Sequence, residues 1–121
     1  MARATSLEAA ENFGRYAEAL CRLALRLKGY RIEAVRARTP MGEIDIVARR
    51  GGALAIVEVK ARRDTTKFAD PVSPRQRARL ELAAAAFLGR HGGLAGLAVR
   101  FDVMLVRPWR WPEHIPDAWR P

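Results

Sequence analysis

Apolar residues recur at helical spacing through Phe13, Ala17, Leu20, Ala24 and Leu27, while Arg15, Arg22 and Arg26 fall on the opposite side. That pattern predicts an amphipathic helix with one core-facing stripe. Thr5-Ser6-Leu7-Glu8 has the form of a capping box at its start, and Gly29 ends it, so the helix should run to about Lys28. Over residues 30–38 β-branched and charged residues alternate, which predicts a strand closed by a turn at Thr39-Pro40-Met41-Gly42. Two further strands, 43–48 and 53–60, flank Gly51-Gly52, a pair suited to a two-residue hairpin turn because glycine accepts positive φ. Residues 62–72 read as a polar loop.

Ser73-Pro74-Arg75-Gln76 offers an N-cap, a proline at the first helical position and a capping partner. A second helix is therefore expected from Pro74 to about Arg90, burying Leu80, Ala83, Ala84, Phe87 and Leu88. After the Gly92-Gly93 break, residues 97–106 are apolar enough for an interior strand. The stretch 108–121 is proline-rich, holds all three tryptophans and reads as a tail. The order helix, three strands, helix, strand predicts one α/β domain over residues 1–121, with a mixed sheet covered by helices.

Half of the residues are hydrophobic, which supports a folded core. The longest apolar stretch, 80–88, contains Glu81 and is far shorter than the roughly 20 residues of a spanning helix, so no membrane segment is expected. The N-terminus lacks an apolar run of signal-peptide length, and the single Cys21 has no internal disulfide partner. A cytoplasmic protein is the expectation. Twenty-two Lys and Arg against thirteen Asp and Glu give a net charge of +9, which draws the chain toward polyanions and makes nucleic acid the leading partner class. An Arg-rich composition also arises simply from a GC-rich genome. Arg36, Arg38, Arg49, Arg50, Arg62, Arg63 and Lys67 come from strand ends and loops around the hairpin and are candidates for phosphate contacts.

If Gly51 and Gly52 form the turn, cross-strand partners sum to 103, which sets Asp45 opposite Glu58 and Glu43 opposite Lys60. Facing carboxylates repel and call for a cation or a shared proton. Glu58 and Lys60, two apart, share a face. Mg²⁺, or Mn²⁺ in its place, is usually held by one or two carboxylates with water and phosphate oxygens completing the shell. Asp45 and Glu58 meet that minimum. Such an ion promotes phosphodiester hydrolysis, with Lys60 placed to orient water or counter charge on phosphorus. Without metal, Lys60 would pair with Glu43 and Glu58 in an ion-pair ladder on an exposed sheet face. The functional reading gains from context: Glu58 and Lys60 interrupt the run Leu54-Ala55-Ile56-Val57 and Val59, where unpaired charge is costly.

Gly42-Glu43-Ile44-Asp45-Ile46-Val47-Ala48-Arg49 and Ile56-Val57-Glu58-Val59-Lys60-Ala61-Arg62 together resemble the YraN-like family of small bacterial proteins. Ala17-Glu18, Gly29-Tyr30-Arg31-Ile32, Arg100-Phe101-Asp102-Val103 and His114-Ile115-Pro116-Asp117-Ala118 extend the likeness over most of residues 14–118. That family is similar in turn to archaeal Holliday junction resolvases and to the PD-(D/E)xK nucleases. The resemblance implies a restriction-endonuclease-like three-layer α/β/α core with a mixed central sheet. It also implies a site of Asp45, Glu58, Lys60 and a helical glutamate, Glu18. In its other reading Glu18 is a solvated helix residue pairing with Arg22. Gln76 stands where the family usually has a lysine; related nucleases often have glutamine at a comparable point, though Gln76 also suits a cap. Phe68-Ala69-Asp70 replaces the usual Phe-Gly.

The expected function is thus a metal-dependent endonuclease acting on DNA, including branched or structured forms. The alternatives are a non-catalytic nucleic-acid-binding protein retaining the fold, and an interaction protein whose basic surface meets an acidic partner. By analogy, cleavage of a junction would favour a symmetric homodimer, because two strands must be cut at related positions; the sequence itself leaves the oligomeric state open. Asp102 could assist the site electrostatically or make a structural salt bridge. His91 suits a helix C-terminus, and His114 lacks a second ligand at zinc spacing. Trp109, Arg110 and Trp111 could stack bases or pack against the sheet edge.

Overall fold

The computed structural model describes residues 5–63 and 71–121. Helix α1 covers Ser6–Leu27, strands β1 Arg31–Thr39, β2 Gly42–Arg50 and β3 Ala53–Ala61 follow, then α2 Pro74–Arg90, β4 Ala98–Val106 and β5 Glu113–Trp119. Both capping boxes form: Thr5 and Glu8 exchange hydrogen bonds at the start of α1, as do Ser73 and Gln76 at the start of α2. Each satisfies amides that a helix start leaves without partners.

The five strands make one sheet in the order β1-β2-β3-β4-β5. β1, β2 and β3 are antiparallel neighbours, β3 and β4 run parallel, and β5 returns antiparallel to β4. A parallel pair requires a crossover, and α2 lies within that connection. Alternation along the strands sends side chains to two cores. Leu54 and Ile56 pack with Leu80, Ala83 and Phe87 of α2, whereas Ala55 and Val57 pack with Ala17, Cys21 and Leu25 of α1. The result is a three-layer α/β/α domain, the restriction-endonuclease-like arrangement expected from the resemblance. Among the described residues no helix is long and apolar enough to cross a membrane.

Two sequence expectations need correction. The buried row of α1 is Ala17, Cys21, Ala24 and Leu25, while Leu27 is exposed. Leu27 is two residues past buried Leu25, about 200° further round the helix, and so points away from the sheet. The tail is also not wholly irregular, because residues 113–119 form β5. Pro116 obscures that strand in the sequence, yet an edge strand tolerates a proline where its missing N–H breaks no ladder bond. The β4–β5 register shifts at this point, and Asp117 takes φ +53°.

β5 is fastened by a buried polar cluster. Asp102 on β4, fully buried, accepts two hydrogen bonds from Arg100 at 2.8 Å, one from His114 Nε2 at 2.7 Å and one from the Asp117 amide at 3.0 Å. Burial alone would raise the Asp102 pKa, but these donors outweigh it and hold the carboxyl down at about 2. The Arg100 Nη2 that bonds Asp102 also donates to the Tyr30 hydroxyl, and Lys28 Nζ lies 3.0 Å from His114 Nδ1. Of the two readings of Asp102, the structural salt bridge is the one its contacts describe.

Candidate active site

A break in β2 sets up the site. Residues two apart in a regular strand share a face, yet Ile44 enters the α2-side core and Ile46 the α1-side core. Alternation therefore fails at Asp45. Across β1 the break is matched at Arg36, which falls between the pairs Val35↔Ile46 and Ala37↔Ile44 and takes φ +50°. The β2–β3 ladder keeps the sum of 103 from Arg50↔Ala53 to Ile46↔Val57, where its pairing ends. Beyond that point Asp45 Oδ2 accepts a hydrogen bond from the Val59 amide at 2.8 Å. The aspartate thus does the work of a missing backbone acceptor and is held between the strands.

Glu58 is the residue this geometry brings to Asp45, and each carboxyl group acts on the titration of the other. Two neighbouring buried carboxylates repel, which favours keeping a proton on the pair. Burial, foremost, raises the pKa of both, and the charge of Asp45 helps push Glu58 up to about 8. Lys60 Nζ lies 3.7 Å from Glu58 Oε1, with both side chains mostly buried. Glu43 is not placed opposite Lys60, because the ladder has ended; it pairs instead with Arg38 at 3.8 Å.

Glu18 reaches the same region from α1. Its partner is Arg36 on β1, at 2.6 Å and 2.8 Å, and its charge acts on Asp45. Cys21, one turn further along α1, is buried beside them; burial first, then the charges of Asp45 and Glu18, push its thiol up to about 12. The thiol is therefore protonated at neutral pH and packs as an apolar group.

On the α2 side Glu58 opens into a groove of about 260 Å³ lined also by Gly42, Glu43, Gln76 and Arg79. Gln76 both lines this groove and caps α2, its Oε1 accepting from the Ser73 amide at 3.1 Å. Arg79, absent from the sequence-based candidates, adds a positive charge that favours ionised Glu58. Its position one helical turn after Gln76 was the available signal, since residues three apart on a helix share a face.

The proposed phosphate-binding residues divide. Arg62 and Arg63 follow β3 at the end carrying Glu58 and Lys60, and Arg38 is exposed near Glu43. Arg36 is engaged by Glu18. Arg49 pairs with Arg31 near the opposite end of the hairpin, roughly 13 Å along β2 from Asp45. Lys67 and the Phe68-Ala69-Asp70 stretch lie outside the described residues.

Among the described residues no three His, Cys, Asp or Glu side chains gather as a metal-ligand cluster. The donors on offer are Asp45 and Glu58, two hard oxygen ligands whose raised pKa values favour a proton where a divalent ion would instead neutralise both. That donor set fits Mg²⁺ or Mn²⁺, which usually takes one or two carboxylates from a protein and completes its shell with water and phosphate.

Fold and geometry together define a restriction-endonuclease-like α/β domain with a carboxylate pair and a lysine where β2 and β3 part. The chain belongs to the uncharacterised protein family UPF0102, whose model matches residues 17–106. It is 58% identical over 113 residues to a UPF0102 protein of Parvibaculum lavamentivorans, covering 93% of this chain and 85% of the relative. It is 51% identical over 117 residues to one of Paramagnetospirillum magneticum, covering 93% and 91%, and 49% identical over 105 residues to one of Rhizobium meliloti, covering 87% and 86%.

Proposed function

We propose that this protein is a PD-(D/E)xK-type, Mg²⁺- or Mn²⁺-dependent endonuclease that hydrolyses phosphodiester bonds of DNA, branched or otherwise structured forms included. The observation that carries this reading is the Asp45 carboxylate fixed by the Val59 amide where β2 and β3 part, with Glu58 and Lys60 at the same place, in a chain of net charge +9. Asp45 and Glu58 would hold the ion. When bound, the ion supplies Lewis-acid polarisation of the phosphoryl oxygen and a more acidic water. Asp45 is oriented by the Val59 amide, so its carboxylate is fixed before any ligand arrives. Lys60 places a cation beside the scissile phosphate and counters the charge that grows there. Arg62, Arg63 and Arg38 position the backbone without reading sequence.

The test is a titration of Mg²⁺ and Mn²⁺ with branched, single-stranded and duplex DNA, comparing wild type with Asp45→Ala, Glu58→Ala and Lys60→Ala. Cleavage by wild type alone, with salt-sensitive binding kept in the variants, supports the reading. Binding without cleavage under either metal makes the protein a non-catalytic DNA binder. Absence of binding even at low salt leaves the basic surface for an acidic protein partner.

A further inference from the structure

Beyond the carboxylate site, at the end of β3 and β4 where Lys60 leads to Arg63, α1 and the β4–β5 connection enclose a second cleft of about 590 Å³. Phe13 and Tyr16 of α1 form one wall, their rings stacked with centroids 6.3 Å apart and an interplanar angle of 19°. Arg63 lies over the Phe13 ring, 5.4 Å from its centroid, and Pro108 and Trp109 complete the far side. Tyr16 is half exposed, and Trp109 is 98% exposed. Trp109 also takes φ +62°, a conformation that bulky side chains rarely adopt. A large apolar ring held in solvent on a strained backbone is a feature that calls for a ligand.

We propose that this cleft takes an unpaired nucleobase of the DNA that the neighbouring site would cut, stacked on Trp109 and Tyr16, with Arg63 on the adjoining phosphate. The inference rests on the proposed DNA-cleaving function and specifies its substrate: DNA with unpaired nucleotides next to the scissile bond. Charge selects nucleic acid over other occupants. The chain carries +9, and none of the described lining residues is acidic. Every base has a π-face, so aromatic platforms beside a cation serve single strands of any sequence. Position supports the same choice. Arg63, which lines the cleft, follows Lys60 by three residues, so the cleft lies at the same end of the sheet as the carboxylate site.

Binding is measured without divalent ion, by fluorescence anisotropy at fixed salt. The probes are a short duplex with a thymidine overhang, the same duplex with an abasic overhang, and the blunt duplex. The abasic probe retains the phosphates and lacks only the bases. Wild type is expected to prefer the thymidine overhang over the abasic one by roughly tenfold, the effect of one stacked base. Trp109→Ala should abolish that preference while leaving blunt-duplex affinity unchanged, and Trp109→Phe should restore most of it. Tyr16→Ala, at a half-exposed position, gives an independent reduction. Equal affinity of wild type for thymidine and abasic overhangs overturns the inference, even if Asp45-dependent cleavage is found. Conversely, a Trp109-dependent preference in a protein that never cleaves upholds base binding and removes only the nuclease reading. Concentration-dependent self-association that Trp109→Ala reverses, without an overhang preference, would assign the cleft to a second copy and also overturns it.

Discussion

Glu18 on α1 holds the Arg36 guanidinium at 2.6 Å, at the strand position that faces Asp45. Arg36 thus brings a positive charge to three neighbouring carboxyl groups, Glu18, Asp45 and Glu43. An ion bound by Asp45 and Glu58 would feel both the attraction of Glu18 and the repulsion of Arg36. The ion pair therefore tempers the field that the site offers a cation.

Removing that positive charge should strengthen cation binding. In Arg36→Ala the Glu18 charge is no longer compensated, and Mn²⁺ affinity is expected to rise by several-fold up to about tenfold, the scale of one charge–charge interaction near a protein surface. Isothermal titration of the DNA-free protein with Mn²⁺ measures it. An affinity equal to or below wild type would mean that Glu18 exerts no useful field on the ion.

The carboxyl pair makes metal-free stability depend on pH. Glu58 has its pKa raised from 4.5 to about 8, so between those values the native state keeps a proton that the unfolded chain has released. Its favourable contribution is complete below the unfolded value and is lost as pH rises through about 8. Stability should therefore fall over that window by up to ~1.4 kcal/mol per pH unit. Glu58→Gln, which imitates the protonated group, should flatten the slope. Thermal melts in EDTA from pH 5 to pH 8 decide it: parallel slopes in wild type and variant would show that the pair keeps no proton over that range.

How much of this could be read from the sequence follows from how local each cause is. The capping residues Thr5 and Ser73 act on amides two or three residues away, and α2 runs from Pro74 to Arg90 as its capping and apolar spacing imply. The hairpin register followed from Gly51-Gly52, with the positive φ taken by Gly51 alone. The kink was not legible. That Asp45 leaves regular alternation depends on Arg36 in another strand and on the Val59 amide in a third. The partner of Glu18 was hidden for the same reason: Arg22 is near in sequence, but Arg36 is brought near by folding. β5 depends on Asp102, which lies 12 residues before His114 and 15 before Asp117, and its own pattern is broken by Pro116.

Gly42 is expected to resist substitution where Gly14 does not. Gly42 takes φ +136°, and a Cβ there would sit 3.4 Å from Arg79 Cγ and Cδ. Gly42→Ala should cost about 1–3 kcal/mol in backbone strain, with the added methyl group in ordinary contact with Arg79. Gly14 lies inside α1, and a methyl group added there would meet nothing within 4 Å. Gly14→Ala should instead stabilise by about 0.5–1 kcal/mol through helix propensity. Urea unfolding of the two variants should therefore give shifts of opposite sign; equal shifts would refute the assignment of strain to Gly42.

Asp102 supports the edge of the sheet through charge. Its carboxylate joins Arg100, His114 and the Asp117 amide, so Asp102→Ala leaves a partly buried guanidinium with only Tyr30, and a histidine and an amide without this acceptor. Removal of one member from a buried charged cluster costs about 3–5 kcal/mol, a large share of the ~5–15 kcal/mol that stabilises a typical domain. The loss should be concentrated in β5, and amide hydrogen exchange at residues 113–119 should accelerate more than in β2 or β3. The acid dependence has a defined sign. Because folding lowers the Asp102 pKa to about 2, its contribution is present above the unfolded value of 3.8 and disappears as pH falls through about 2. The gap in stability between wild type and Asp102→Ala should therefore be widest at neutral pH and close on acidification. A gap that stays constant down to pH 2 would mean that shape, not the carboxylate charge, holds β5 in place.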